Sequence, residues 1–313
     1  MAPASASTDM ESHASTSHPA RTAFVFAGGG SLGAVQVGML KALMRIKVLP
    51  DFVVGASVGA INGAYFAAQP DVEGVARLER IWSKLRSADV FPFSIVNSLL
   101  AILGRRDHLI APAFLKSLLD SELPCETLEA ARIPCHVIAT NVLTGTEVAM
   151  NTGPMTDALL ASAAIPGVFP SVAINGDYLM DGGVANNTPI STAVALGATR
   201  IIVLPTGMSC ALPKPPRGAV AVALHALNLL VMRQLVSDIE HFSDRVELVV
   251  LPPLCPVAVT AYDFSQTADL IRRSEASTRL WLKQKGLHDR GTPPELLPHE
   301  HDEHDTHAHV GAV

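Results

Sequence analysis

This 313-residue chain lacks a basic run, cysteines at metal-ligand spacing and an N-terminal apolar stretch. Without a basic patch interleaved with aromatics, nucleic acid is excluded as the main partner. The four cysteines, Cys125, Cys135, Cys210 and Cys255, include no C-x2-C pair. They suggest neither a disulfide scaffold nor a metal centre, and reduced, mostly buried thiols are expected. Met1 to Ala20 is Ser, Thr, Ala and His with Asp9 and Glu11, which reads as a disordered lead-in and not a secretion signal. Nor does an unbroken apolar run reach the ~18–20 residues of a membrane span. The most lipid-like segment, Ala219 to Met232, is interrupted by His225 and Asn228 and closed by Arg233. A buried or membrane-touching helix is expected there. Without a span or a secretion signal, the expected setting is cytoplasmic, with peripheral contact to membranes.

Charge is sparse as well, at 17% of residues against 49% hydrophobic. Such a chain can bury one large α/β core. The net charge is −6, and Glu300, Asp302, Glu303 and Asp305 supply four of those charges in a segment without Lys or Arg. The body is therefore close to neutral. From His288 onward the chain is rich in Pro, Glu and His, and reads as a disordered tail whose histidines bind metal only adventitiously. The expected folded domain spans 21–287.

Within it, Phe52 to Val54 suits a buried strand and Val58 onward a helix, which leaves Ser57 in the turn between them. Gly55 and Gly59 flank it as G-x-S-x-G, where small neighbours let a strained serine project its hydroxyl. The Ser57 amide would then sit at a helix N-terminus, favourable for developing negative charge. Upstream, the strand Thr22 to Ala27 runs into Gly28-Gly29-Gly30-Ser31-Leu32-Gly33 and then into a helix with Val35, Met39, Leu43 and Ile46 on one face. Such a loop can cradle a dinucleotide or line an oxyanion hole. The dinucleotide fold wants an acid at the end of the second strand, yet Asp51 precedes that strand and Ser57 follows it. The oxyanion role fits better.

Between Gly63 and Pro134 the pattern is helical, at Asp71 to Arg86, Ile95 to Leu103 and Pro112 to Leu119, as a lid or the wall of a pocket. Pro134 to Val142 and Glu147 to Met150 read as a hairpin, and Thr156 to Ala164 as a helix. Val172 to Ile174 and Tyr178 to Met180 flank the turn Asn175-Gly176-Asp177. Asp181-Gly182-Gly183 follows, an aspartate open to another group or engaged in a cap or Asx turn. Strands at Thr199 to Pro205 and Arg245 to Leu251 alternate with helices at Gly218 to Asp238 and Asp263 to Lys285.

Three of these pieces, Gly28 to Gly33, Gly55 to Gly59 and Asp181 to Gly183, resemble the motifs of the patatin-like phospholipases, including the catalytic domain of neuropathy target esterase. The resemblance runs from about Thr22 to Lys285. It implies a three-layer α/β/α sandwich with a mostly parallel central sheet, and a Ser-Asp dyad acting on a lipid or other acyl ester. Ser57 would be the nucleophile and Asp181 the base. Gly28, Gly29, Gly30, Ser31, Leu32 and Gly33 would form the oxyanion hole, with no metal and no cofactor. The family usually carries Arg or Lys where Leu32 stands, and this departure motivates a rival expectation, a lipid-binding protein that has lost turnover. His136, His225 and His241 are expected in core or surface roles.

Overall fold

The computed structural model describes residues 20–90, 108–212 and 214–299. In chain order the main elements are β1 Thr22–Phe26, α1 Ala34–Arg45, β2 Phe52–Ala56, α2 Val58–Ala68, α3 Val72–Lys84 and α4 Ala113–Glu122. There follow β3 Cys135–Asn141, β4 Glu147–Met150, α5 Met155–Ser162, β5 Val172–Ile174 and β6 Asp177–Asp181. The last are α6 Ile190–Ala195, β7 Arg200–Leu204, α7 Ala219–Phe242, β8 Glu247–Val250 and α8 Thr267–Gln284.

The strands form one eight-stranded sheet in which β3, β2, β1, β7 and β8 lie side by side in parallel. Both faces are buried, because successive side chains of a strand point to opposite sides. Phe24, Phe26, Val53, Val137, Ile202 and Leu204 join one apolar cluster with α1, α2, α3 and α8. Their neighbours Ala23, Val25, Val54, Ile138, Ile201 and Val203 join a second one with α6 and the C-terminal half of α7. The result is the expected three-layer sandwich.

The far side of the sheet positions the site. Val137 and Ile138 of β3 pair with Gly55 and Ala56 of β2 on one edge and with Met150 and Ala149 of β4 on the other. Ala139 pairs with Val148 of β4 and also with Asp181 of β6, so β6 lies on the same edge as β2. The C-terminal ends of β2 and β6 therefore meet head-on along β3. Asn175 and Gly176 hold the β5–β6 turn with φ of 53° and 90°, the left-handed pair of a two-residue hairpin.

Several expectations change. The last helix begins at Thr267 and not at Asp263, because Asp263 Oδ1 accepts from Ser265 N–H at 2.9 Å and Phe264 stacks on Trp82. Such a side-chain turn competes with helix formation. The tail is not structureless from His288: Pro294–Leu296 forms a helical turn, and Leu296 is buried in the second cluster. Apolar packing outweighs local composition there. Ile95 to Leu103, Arg105 to Asp107, residues 1–19 and residues 300–313 lie outside the described residues. Helix α7 is longer than expected, and by length and composition Ala221–Phe242 could cross a bilayer. Its Met232, Leu235, Ile239 and Phe242 nevertheless pack onto the sheet.

Candidate active site

Ser57 leaves β2 with φ 54° and ψ −130°, a strained conformation for a residue with a side chain. The turn closes because Gly55 and Gly59 cross at van der Waals distance: a Cβ on Gly55 would lie 2.6 Å from Gly59 O. The Ser57 amide sits at the N-terminus of α2 but is not open to developing negative charge as the sequence suggested. It donates to Ser162 Oγ at 2.9 Å, and Ser162 in turn donates to Ile138 O at 2.5 Å. Ser162 at the end of α5 thus clamps the turn to β3, a role its apolar sequence surroundings did not reveal.

Asp181, the last residue of β6, accepts from Ser57 Oγ through Oδ2 at 2.7 Å and from Gly183 N–H through Oδ1 at 2.7 Å. The Asx turn and the open carboxylate read as alternatives thus coexist, one on each oxygen. Thr140 Oγ1 donates to Asp181 O at 2.8 Å, and Gly182 N–H donates to Ser162 O at 3.1 Å. Both groups are buried, Ser57 at 8% and Asp181 at 7% exposure. Burial pushes the Asp181 carboxyl up to about 6, against the downward pull of the Ser57 and Gly183 hydrogen bonds. Among the described residues no histidine bonds to either group. His136 lies buried earlier on β3, edge-on to Phe52.

The glycine loop lies beside this pair, but its six members differ. Gly28 is locked: its N–H donates to Asn187 O at 3.0 Å, and its carbonyl accepts from Thr206 Oγ1 at 2.8 Å. Ser31 is also engaged, its N–H on Ala261 O at 2.8 Å and its hydroxyl on Thr260 O at 2.9 Å. Leu32 donates to Gly29 O and buries its side chain in the core, lining neither cleft described below. Gly33 O accepts from Asn62 Nδ2 at 2.9 Å. The amides of Gly29 and Gly30 donate to nothing among the described residues, and Gly30 turns with φ 58° against Ala261.

A family model described as patatin-like phospholipase matches residues 24–194, more than half of the chain and all three motifs. The chain belongs to the patatin-like phospholipase family. Patatin-like phospholipase domain-containing protein 7 of Rattus norvegicus is 28% identical over 187 residues, 59% of this chain and 13% of that protein. Neuropathy target esterase sws of Drosophila melanogaster is 29% identical over 192 residues, 58% of this chain and 13% of that protein. The matched stretch is thus a small part of both relatives. Among solved structures, VipD from Legionella pneumophila aligns at 15% identity and a TM-score of 0.45, over 85% of this chain and 67% of that one.

In this patatin-like chain Ser57 stands where two clefts join. One, about 840 Å³ including its mouth, runs between α2, α3 and α4 and is lined by Ile61, Tyr65, Leu78, Trp82, Leu115 and Leu119. Of the helical block after the serine, α3 and α4 therefore form a wall of this cleft. The other, about 620 Å³, holds Gly29, Gly30 and Asp181 and is bounded by Leu224, Leu227, Asn228 and Val231 of α7. Beneath both lies a buried polar chain. Trp82 Nε1 donates to Asn62 Oδ1, Asn62 Nδ2 to Gln36 Oε1, and Gln36 Nε2 to Ala27 O and Leu204 O, all at 2.8–2.9 Å. These links satisfy the carbonyls at the ends of β1 and β7.

Proposed function

We propose that the chain is a serine acyl-ester hydrolase acting on lipid esters such as phospholipids or lysophospholipids, with Ser57 as nucleophile and Asp181 as base. The observation that carries this is the 2.7 Å hydrogen bond between Ser57 Oγ and Asp181 Oδ2, groups 124 positions apart. Ser57 Oγ attacks the ester carbonyl carbon while its proton passes to Asp181. The oxyanion is received by the Gly29 and Gly30 amides, the two in the loop with donors to spare. Collapse of the tetrahedral intermediate breaks the bond to the alcohol, which takes the proton from Asp181. Water then attacks the acyl-serine and gives its proton to Asp181, the bond between the acyl carbon and Ser57 Oγ breaks, Ser57 takes the proton back and the acid leaves. A carboxyl raised to about 6 is ionised at neutral pH yet more basic than an ordinary aspartate, which suits that exchange.

The apolar cleft takes the acyl chain, and the cleft against α7 takes the leaving group. Helix α7 exposes Val222, Leu229 and Leu230 beside that second cleft, so contact with a lipid surface would bring ester bonds to its mouth. Labelling with a fluorophosphonate tests the reading, followed by a panel of phospholipid, lysophospholipid and simple esters. Wild type should label and release fatty acid, and Ser57→Ala should do neither. Equal labelling of Ser57→Ala, or no acid from any ester, would end it.

A further inference from the structure

Away from both clefts, the loop between β7 and α7, the turn after β8 and the end of the described chain come together. Cys210 Sγ lies 3.7 Å from Cys255 Sγ, and His299 Nε2 lies 3.2 Å from Cys255 Sγ. All three atoms fall within 4.8 Å of one another. The sulfur separation is far beyond a disulfide bond of about 2.05 Å. It matches the edge of a tetrahedron around a zinc ion, about 3.8 Å for Zn–S bonds of about 2.3 Å.

The surrounding groups hold these atoms as ligands are held. His299 Nδ1 is 2.7 Å from Leu297 O, which only accepts, so the proton sits on Nδ1 and Nε2 turns its lone pair to the sulfurs. Val257 N–H donates to Cys210 Sγ at 3.4 Å, a contact that stabilises a thiolate. Glu295 Oε2 is buried and has no hydrogen-bond partner among the described residues. The Arg273 guanidinium is held at 2.6 Å on Pro256 O, the residue after Cys255. Two thiolates and a divalent ion would balance in charge, with the neutral imidazole as third donor.

We propose that Cys210, Cys255 and His299 form a structural site for a soft divalent transition ion, Zn²⁺ by ligand type. Thiolate and imidazole donors select such an ion over Mg²⁺ or Ca²⁺. The site ties the C-terminal segment to the loop entering α7 and to the chain leading to Thr260 and Ala261, whose carbonyls hold Ser31. It does not depend on the catalytic assignment. It departs from the expectation that the cysteines bind no metal, and spacing along the chain gives no sign of it because the donors come from three distant segments.

The test uses the full chain, stripped with a chelator and titrated with Zn²⁺ against a chromophoric competitor. Wild type should bind one tight equivalent, and Cys210→Ala/Cys255→Ala should lose it while keeping a native far-ultraviolet dichroism spectrum. With Co²⁺, wild type should show a thiolate-to-metal charge-transfer band that the double variant lacks. His299→Ala, at the exposed end, should retain the fold and bind more weakly. A chain with His301, His304, His307 and His309 all changed to Ala should keep the tight equivalent, which separates the site from adventitious capture by the tail. The proposal fails if the double cysteine variant binds as wild type does, if no thiolate band forms with Co²⁺, or if only the four-histidine variant loses the tight equivalent.

Discussion

Ser57 and Asp181 are 124 positions apart in the chain but one residue step apart along β3, since Ala56 pairs with Ile138 and Asp181 with Ala139 on the same edge. The sheet register, not a flexible loop, sets their contact. In the proposed mechanism, preorganisation of that kind would let a two-residue arrangement work without a third group to orient the base.

The pH dependence of turnover follows from the Asp181 carboxyl, raised to about 6. A base must be ionised, so kcat/KM should rise through about pH 6 and level off above it. Asp181→Asn should lower kcat by at least ~10³-fold across that range. A profile still climbing between pH 7 and 8 would point to a different base.

The same carboxyl predicts a stability change of unusual sign. Its folded value lies above the unfolded one of about 4, so between those values the folded state holds the extra proton and stability falls as pH rises. The full penalty, about 2–3 kcal/mol by order of magnitude, is present above pH 6 and absent below pH 4. Asp181→Asn keeps both hydrogen-bond positions and sheds the buried charge. Calorimetry should find it more stable than wild type at pH 7.5, with the gain shrinking at pH 4.5. A lower Tm at pH 7.5 would contradict the burial argument.

Ser162→Ala removes the acceptor for the Ser57 amide and the donor to Ile138 O. Leaving such groups unpaired in the interior costs about 1–3 kcal/mol. Urea denaturation should show that loss, and kcat should fall with it because the strained serine loses its clamp. Wild-type kcat in this variant would show that the clamp is dispensable.

Chain-length selection should depend on Ile61, one helical turn beyond Ser57 on the wall of the apolar cleft. A tryptophan there blocks the path towards Tyr65, about 12 Å along α2 from the serine. Ile61→Trp should reduce kcat/KM for long-chain esters by about 10-fold or more and leave acetyl esters nearly unchanged. An equal loss for both would mean that the acyl chain runs elsewhere.

The proposed lipid contact through α7 would rest on Leu229 and Leu230, exposed beside the second cleft. Leu229→Asp/Leu230→Asp should reduce co-flotation with phospholipid vesicles and lower the rate on vesicles, while the rate on a soluble short ester stays the same. Unchanged flotation would remove α7 from the contact surface.

Much of the fold was legible because its signals are local. Short continuous runs of β-branched, aromatic and other apolar residues marked the strands, and glycines marked the turns at Ser57, at Gly28 to Gly33 and after Asp181. The helix start at Thr267 was missed because the Asp263 side chain captures the backbone first. Leu32 looked like a change at the mouth of the site, yet its side chain lies in the core.

By itself the sequence determined the main strands and helices and the strained serine turn, since backbone preference acts over a few residues, and its three motifs carried the family resemblance that implied the layers of the sandwich. Only the tertiary structure decided which aspartate oxygen meets the serine, which two loop amides keep their donors, and that Cys210, Cys255 and His299 converge. Those outcomes depend on strand register and on packing between segments far apart in the chain, where no local preference operates.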